Sequence, residues 1–342
     1  MPQTLPALRL PDGGARSRAV ICLGHALVDR LAEASDKVVV SAGIEIGAMT
    51  LVDADGAAVI EKSHDPWQEV AGGSAANTAA GIASLGGSAA FAGSVGADEA
   101  GRRYVSDLEE AGVRVVAPAA SGEPTGVCHV FVTPGGDRSM ATYLGAAALL
   151  SPHVVDAAGV EQASVAYLEG YLLDAPMATD AVSRVVELAK QAGTLLSLSL
   201  SDPFVVERHH DAIRDLLRSG TVDILFGNAE EVLALTGSAE LPIALERLAL
   251  TAPEVLGFVT RGAAGSVVFR GDLRAEVGAA PVPTVLDTTG AGDLYAAGVL
   301  FGLTDGRDPA ASAWIGSLAA GEVIGHFGAR PKVRLSELLE AG

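Results

Sequence analysis

The 342-residue chain has two cysteines and few aromatic residues, 4% of the total. Cys22 and Cys128 show no metal-ligand spacing and make no disulfide framework. Cys22 lies in an apolar run and reads as core. Basic residues are scarce: 23 Lys and Arg against 42 Asp and Glu leave a net charge of −19. That balance argues against nucleic acid as a polyanionic partner. It does not exclude ATP, which needs only a local site with metal and backbone N–H groups. No uninterrupted apolar run approaches the ~18–20 residues that span a bilayer, so no membrane partner is expected. The positive mean hydropathy of +0.36 comes from abundant alanine. Residues 1–18 lack the long apolar stretch of a signal peptide and read as a poorly ordered tail, so the expected location is the cytoplasm.

Hydrophobic residues make up 49%, enough for a sizeable core. With so few rings, Ala, Val, Leu and Gly must do the packing, which favours close helix-on-sheet contacts. Short apolar runs alternate with longer helical patterns. Strands are predicted at Ala19–Leu23, Ala89–Val95, Ser164–Leu168, Leu195–Leu200, Asp223–Phe226, Leu256–Thr260 and Ser266–Phe269. Between them come helices such as Ala75–Leu85, Arg102–Glu110, Thr179–Ala192, Asp211–Arg218, Glu230–Leu235 and Ala244–Leu250. Such alternation implies an α/β domain with a mostly parallel sheet covered on both faces. Two regions break the pattern. Lys37–Glu69 has few helix signals and holds Asp53-Ala54-Asp55-Gly56 as a turn between extended pieces. Gly126–Leu144 reads as two strands around the turn Pro134-Gly135-Gly136-Asp137.

The most informative stretch is Asp287-Thr288-Thr289-Gly290-Ala291-Gly292-Asp293, which opens onto an apolar run of helical periodicity. A helix start leaves backbone N–H groups unpaired, and with the helix dipole these attract an anion. Gly290 and Gly292 let a phosphate approach closely. Asp293 would repel that anion, so it needs another reason to be there, and proton abstraction supplies one. The string is neither a dinucleotide fingerprint nor a Walker A loop: Tyr295 takes the third-glycine place, and no Gly-Lys-Ser/Thr follows. A bare G-x-G would favour plain structure; the whole seven-residue string is far more specific.

This string resembles the C-terminal signature of the ribokinase-like (PfkB) family of small-molecule kinases. Gly72-Gly73-Ser74-Ala75-Ala76-Asn77, continuing to Gly87, resembles its N-terminal signature. The likeness runs from about Ala19 to the end of the chain. Gly24–Asp29, Thr142–Ala146, Tyr167–Tyr171 and Ser201–Phe204 lean toward the bacterial adenosine-kinase-like branch. The resemblance implies a ribokinase-like three-layer sandwich over residues 19–342. It also implies a small β lid, formed from about 37–69 and 126–144, that closes over the substrate. Implied, too, are ATP with Mg²⁺, a small-molecule acceptor, and compatibility with a homodimer.

The resemblance assigns roles to individual residues. Asp293 becomes the catalytic base, with Gly290, Ala291 and Gly292 as the anion hole. Asp29, Gly72, Gly73 and Asn77 fall on positions that bind the substrate's sugar hydroxyls. Taken alone, Asp29 reads equally as a turn acid or a helix cap, and the two glycines as a tight loop before an alanine-rich helix. His25 occupies a substrate position where adenosine kinases usually have Asn. Arg138 follows the lid turn and would reach the transferring phosphoryl group. Asn228 and Glu231 match the metal and phosphate motif, acting on Mg²⁺ through water; without that context they read as a capped helix start. Thr260, Arg261, Gly262 and Gly265 match the ATP-contacting loop. Asp287 and Thr289, with the Glu322–Arg330 loop, resemble a monovalent-cation site for K⁺. His326 and the His209-His210 pair lack metal spacing and read as ordinary packing or surface residues.

Three functions compete. The first is ATP-dependent phosphotransfer to a primary hydroxyl of a nucleoside, with the 5′-hydroxyl of adenosine foremost. The second is a free-sugar kinase for ribose, fructose or a related sugar, which Thr289 favours. The third is a binding regulator without catalysis, against which the intact Asp293, Gly290, Gly292, Asn228 and Glu231 argue. A nucleoside would also need an apolar slot for its base; Ile44, Ile46, Met49, Leu51 and Phe204 are the candidates.

Overall fold

The computed structural model describes residues 5, 19–47, 49–63, 67–120, 122–133 and 138–340. Most of the N-terminal segment and the turn 134–137 lie outside these, so the tail and the hairpin turn read from sequence are not addressed. Leu5 packs into the main core.

The strands in chain order are β1 (Val20–Leu23), β2 (Leu27–Glu33), β3 (Met49–Leu51), β4 (Gln68–Ala71), β5 (Ala89–Ala92), β6 (Val95–Gly96), β7 (Arg114–Val116) and β8 (Ala119–Ala120). They continue with β9 (Gly126–Val132), β10 (Arg138–Tyr143), β11 (Val165–Glu169), β12 (Leu195–Ser199), β13 (Ile224–Asn228), β14 (Leu256–Thr260), β15 (Ser266–Arg270) and β16 (Leu273–Val277). Nine form the main sheet, in the order β16-β15-β14-β13-β12-β11-β1-β5-β7. Every neighbouring pair from β14 to β7 is parallel, and only β15 runs the other way, antiparallel to both β14 and β16. This is the α/β, mostly parallel architecture that the alternating pattern implied.

Alternation along single strands explains why the sheet carries two cores. Ile21 and Leu23 join one buried cluster with residues of the helices Pro152–Ala158, Ala178–Ala192 and His210–Arg218. Val20 and Cys22 join the other, with the helices Ser74–Ser84, Glu99–Glu110, Ala291–Thr304 and Pro309–Val323. Successive side chains point to opposite faces, so strands without polar positions must be covered twice. The result is helix, sheet and helix in three layers.

A second sheet has the order β3-β10-β9-β2-β4. Its own small core is made of Ala32, Ala34, Val39, Ile44, Ile60, Phe131 and Ala141. The sequence reading of this region needs correction. Asp53-Ala54-Asp55-Gly56 is not a turn between strands: Asp53 accepts from Gly56 N at 2.8 Å and opens the helix Ala54–Ser63, with a shorter helix at Asp36–Ser41. Asp29, read alone as a turn acid or a helix cap, lies inside β2. The edge strands β7 and β16 escaped notice because polar side chains such as Arg114, Arg274 and Glu276 interrupt their apolar runs.

Two helices on the second core meet with almost no side-chain separation. A Cβ on Gly298 would stand 2.5 Å from the Gly316 backbone, and one on Gly302 would stand 2.7 Å from Ser312 Oγ. Gly298→Ala should therefore lower stability by about 1–3 kcal/mol through overpacking, although alanine is the better helix former. Urea unfolding measures this; a midpoint at or above wild type would show that the helices separate without cost.

Candidate active site

The helix Ala291–Thr304 begins at Gly290, whose φ of 78° lies in the left-handed region. A Cβ there would also press on Ala329 at 2.7–2.8 Å, so both conformation and space demand glycine. Gly292 faces open space. The Ala291 amide donates to Thr288 O at 3.2 Å, so the free amides for an anion belong to the residues beyond it in the first turn.

Asp293 projects from this turn and is half-buried. Ser74 Oγ donates to its Oδ1 at 2.7 Å and Asn77 Nδ2 to its Oδ2 at 3.0 Å. Thr78 Oγ1 lies 3.2 Å from its backbone carbonyl. Burial pushes the Asp293 carboxyl above the usual carboxylate range, and the two side-chain hydrogen bonds pull against that shift. A carboxylate raised in this way and fixed at both oxygens is suited to accept a proton.

Asp29 stands across from it on β2. Gly72 lies against the Asp29 carboxyl, and any Cβ at Gly72 would collide with it. Burial raises Asp29 to about 7; Arg330 and Arg138 oppose the shift, and Asp293 and Asp287 reinforce it. Gly73 has φ of 88°, and a Cβ on it would meet the His25 carbonyl at 2.5 Å. Tyr104 Oη donates to Gly72 O at 3.2 Å and so pins the glycine turn.

His25 is almost fully buried beside Glu169, at the end of β11. Glu169 accepts from His25 N at 2.7 Å and from Ala75 N at 2.8 Å. Burial lowers His25 to about 4 and raises Glu169 to about 8, so near neutral pH the two rest uncharged rather than as an ion pair. His25 Nε2 is buried with no partner among the described residues.

Arg138 reaches from β10 to the C-terminal turn and pairs with Asp287. Asp287 also accepts from Thr289 N at 2.8 Å and from Gly328 N at 2.9 Å. Three donors and a guanidinium charge therefore already serve this carboxylate. The Asp287 side chain is thereby engaged, while Thr289 Oγ1 remains buried and unpartnered among the described residues.

The second cluster stands at the ends of β13 and β14, where Asn228 and Thr260 are register neighbours. Asn228 and Glu231 form a reciprocal cap: Glu231 N donates to Asn228 Oδ1, and Asn228 N donates to Glu231 Oε2, both at 2.9 Å. Asn228 Nδ2 donates to Glu231 Oε1 at 2.8 Å. Burial raises Glu231 to about 7. With each oxygen holding one hydrogen bond, Glu231 fits magnesium through metal-bound water rather than directly. Among the described residues no group of three His, Cys, Asp or Glu side chains is arranged to hold a metal. Arg261 is anchored, with Nη2 3.1 Å from Ala264 O and 3.3 Å from Glu276 Oε2. Gly262 and Gly265 have φ of 56° and 79° and turn the loop back into β15. Tyr171 feels Asp202, Glu231, Asp293 and Glu169 together, so the two clusters share one end of the sheet.

Ile44, a candidate for a base slot, is packed into the core of the second sheet instead. Ile46, Leu51 and Phe204 stay exposed. His326 pairs with Glu322, His209 with Asp174, and His210 with the Leu235 carbonyl, all as packing or surface residues. Sequence reasoning gave no role of their own to Ser74, Glu169 and Tyr104, and took Arg330 only as the end of the Glu322–Arg330 loop. Ser74 stands inside a quoted motif, and Glu169 is a lone acid ending an apolar strand. Nothing in the sequence marked Tyr104.

The pfkB family carbohydrate kinase pattern matches residues 39–334, and the chain belongs to that family of kinases. It is adenosine kinase-like in structure. The crystal structure of adenosine kinase from Sinorhizobium meliloti superposes with a TM-score of 0.90 at 44% identity, covering 96% of this chain and 99% of that one. That of a probable sugar kinase protein from Rhizobium etli CFN 42 gives 0.91 at 40% identity, covering 95% and 98%. Adenosine kinase of Saccharomyces cerevisiae is 29% identical over 328 residues, 89% of this chain and 95% of that protein.

The Asp293 carboxylate adds to the rise of Asp29, behind burial. Both carboxyls are raised, and in the roles the resemblance assigns them each accepts best when ionised. Activity should therefore rise with pH through about 7, the value to which Asp29 is pushed. The pH profile of kcat/KM reads this; a profile flat down to about pH 5 would contradict the assignment.

Proposed function

We propose that this kinase transfers the γ-phosphoryl group of ATP to the 5′-hydroxyl of adenosine. The observation that carries the reading is the Asp293 carboxylate, fixed by Ser74 and Asn77 at the mouth of a glycine turn with free first-turn amides. Asp293 takes the proton of the acceptor hydroxyl as that oxygen attacks phosphorus. The amides beyond Ala291 receive the charge spreading over the phosphoryl oxygens. Arg138, with one guanidinium nitrogen buried and unpartnered among the described residues, turns a donor to the same group. Asp29 accepts from the sugar hydroxyls, with His25 Nε2 and the Gly72–Gly73 backbone beside it. The second sheet acts as a lid that excludes water. Asn228, Thr260 and the Arg261–Gly265 loop take the nucleotide. Magnesium bound to its phosphates would neutralise charge there and be held through water by Glu231 and Asn228.

The nucleoside reading is supported by the 44% identity to an adenosine kinase across nearly the whole chain. A sugar acceptor is the second reading, favoured by Thr289 and by the equally similar probable sugar kinase.

Asp293→Asn keeps the shape and removes the proton acceptor. It should cut kcat by roughly 10²–10⁴-fold with ATP binding nearly unchanged, as steady-state kinetics and calorimetry would register. Near-normal turnover would sink the base assignment.

Acceptor choice is decided by ADP release from ATP-Mg²⁺ with a panel of nucleosides and sugars. Adenosine should exceed ribose by at least ~10-fold in kcat/KM, a gap of ~1.4 kcal/mol. Burying one purine face, roughly 100 Å² at ~25 cal/mol per Å², suffices for that gap. Faster turnover of ribose or fructose than of every nucleoside would replace this reading with the sugar kinase.

A further inference from the structure

Arg330 lies in the loop after the helix Pro309–Val323 and reaches the site beside Tyr104 and Asn77. Its Cζ lies 5.8 Å from the Tyr104 ring centroid, in cation–π range. Its Nε donates to Asn77 Oδ1 at 3.4 Å. Asn77 in turn donates from Nδ2 to Asp293 Oδ2 at 3.0 Å. Arg330 is also the strongest charge opposing the burial of Asp29. Its Nη2 is buried with no partner among the described residues.

An asparagine amide has two ends of nearly equal shape and opposite hydrogen-bonding character. Here one end meets a guanidinium, which only donates, and the other meets a carboxylate, which accepts. Only one orientation satisfies both neighbours. The flipped amide would set N–H against N–H on one side and oxygen against carboxylate on the other. The cation therefore fixes which end of Asn77 faces Asp293.

We propose that Arg330 is a positioning residue for phosphoryl transfer: through Asn77 it holds the Asp293 carboxylate in the orientation that receives the acceptor's proton. The inference rests on Asp293 being the base, and not on which acceptor is used. Without Arg330 the Asn77 amide is restrained on one side only. Asp293 then keeps Ser74 at Oδ1 and loses its steady donor at Oδ2. The charged groups around Arg330 are Asp29 and Asp107, with Tyr104 beneath it. Those around Asp29 are Arg330, Arg138, Asp293 and Asp287.

A double-mutant cycle tests the relay. Wild type, Arg330→Met, Asn77→Ala and the double variant are compared with whichever acceptor wild type phosphorylates, nucleoside or sugar. Arg330→Met should lower kcat by roughly 10–100-fold, the scale of a misplaced catalytic group, with calorimetric ATP affinity unchanged. In the Asn77→Ala background the same substitution should cost less than about 3-fold, because the relay is already cut. Arg330→Lys keeps the charge but not the fork, so it should hold the acid limb of the pH profile in place while recovering kcat only in part. If Arg330→Met does not fold, the cycle is run with Arg330→Lys, and a smaller coupling of the same sign is expected. Equal losses in both backgrounds would overturn the proposal, as would unchanged kcat. A wild type that prefers a sugar would overturn the nucleoside reading alone and leave the cycle readable.

Discussion

The Asp293 carboxylate accepts hydrogen bonds from Ser74 and Asn77, residues more than two hundred positions earlier in the chain. Through it the start of the helix Ser74–Ser84 meets the start of the helix Ala291–Thr304. A carboxylate placed there without donors would cost several kcal/mol or take up a proton. Each hydrogen bond to a charged group offsets on the order of 1.5–3 kcal/mol. The contact also requires the two helices to come very close. A Cβ on Gly81 would stand 2.6 Å from Leu294 Cδ1 and 2.7 Å from Ala297 Cβ. The scarcity of aromatics and the wealth of alanine and glycine are thus conditions of the site: larger side chains on these faces would part the helices and strand the base.

The site balances its charges locally, in a chain whose net charge would repel ATP. Asp29, Asp287 and Asp293 are three acids drawn together. Arg138 and Arg330 face two of them, while a hydroxyl and an amide donor face the third. The Arg138 pair also ties a strand of the small sheet to the turn that opens the helix Ala291–Thr304.

Much of this was legible in the sequence because the decisive features are local. The central strands announce themselves as short apolar runs, since burial on both faces removes polar alternation. The glycine turns are legible because their conformation admits little else, as Gly290 and Gly73 show. What escaped was set by tertiary contact. Edge strands such as β16 carry polar side chains toward solvent, and their pattern dissolves. The helix Ala54–Ser63 was hidden behind Asp-Ala-Asp-Gly, which serves equally as a turn and as the capped start of a helix. Glu169 and Arg330 are single polar residues whose roles depend on what the fold brings to them, and no spacing encodes that.

Asn228 and Glu231 show why one motif supports two readings at once. The residues that cap a helix and those that attend a hydrated magnesium ion are the same types at the same spacing, because both tasks need fixed oxygen atoms at a helix start. In this chain the cap is fully formed, and it uses one acceptor position on each Glu231 oxygen. The remaining acceptor positions suit water rather than metal, and the hydrogen bonds prevent the carboxylate from swinging toward a cation. Glu231 is raised to about 7, so a nearby positive charge would also favour its ionised form. A bound, hydrated cation and the ionised cap would therefore stabilise each other, whereas direct coordination would have to break the cap that holds Asn228 beside Thr260.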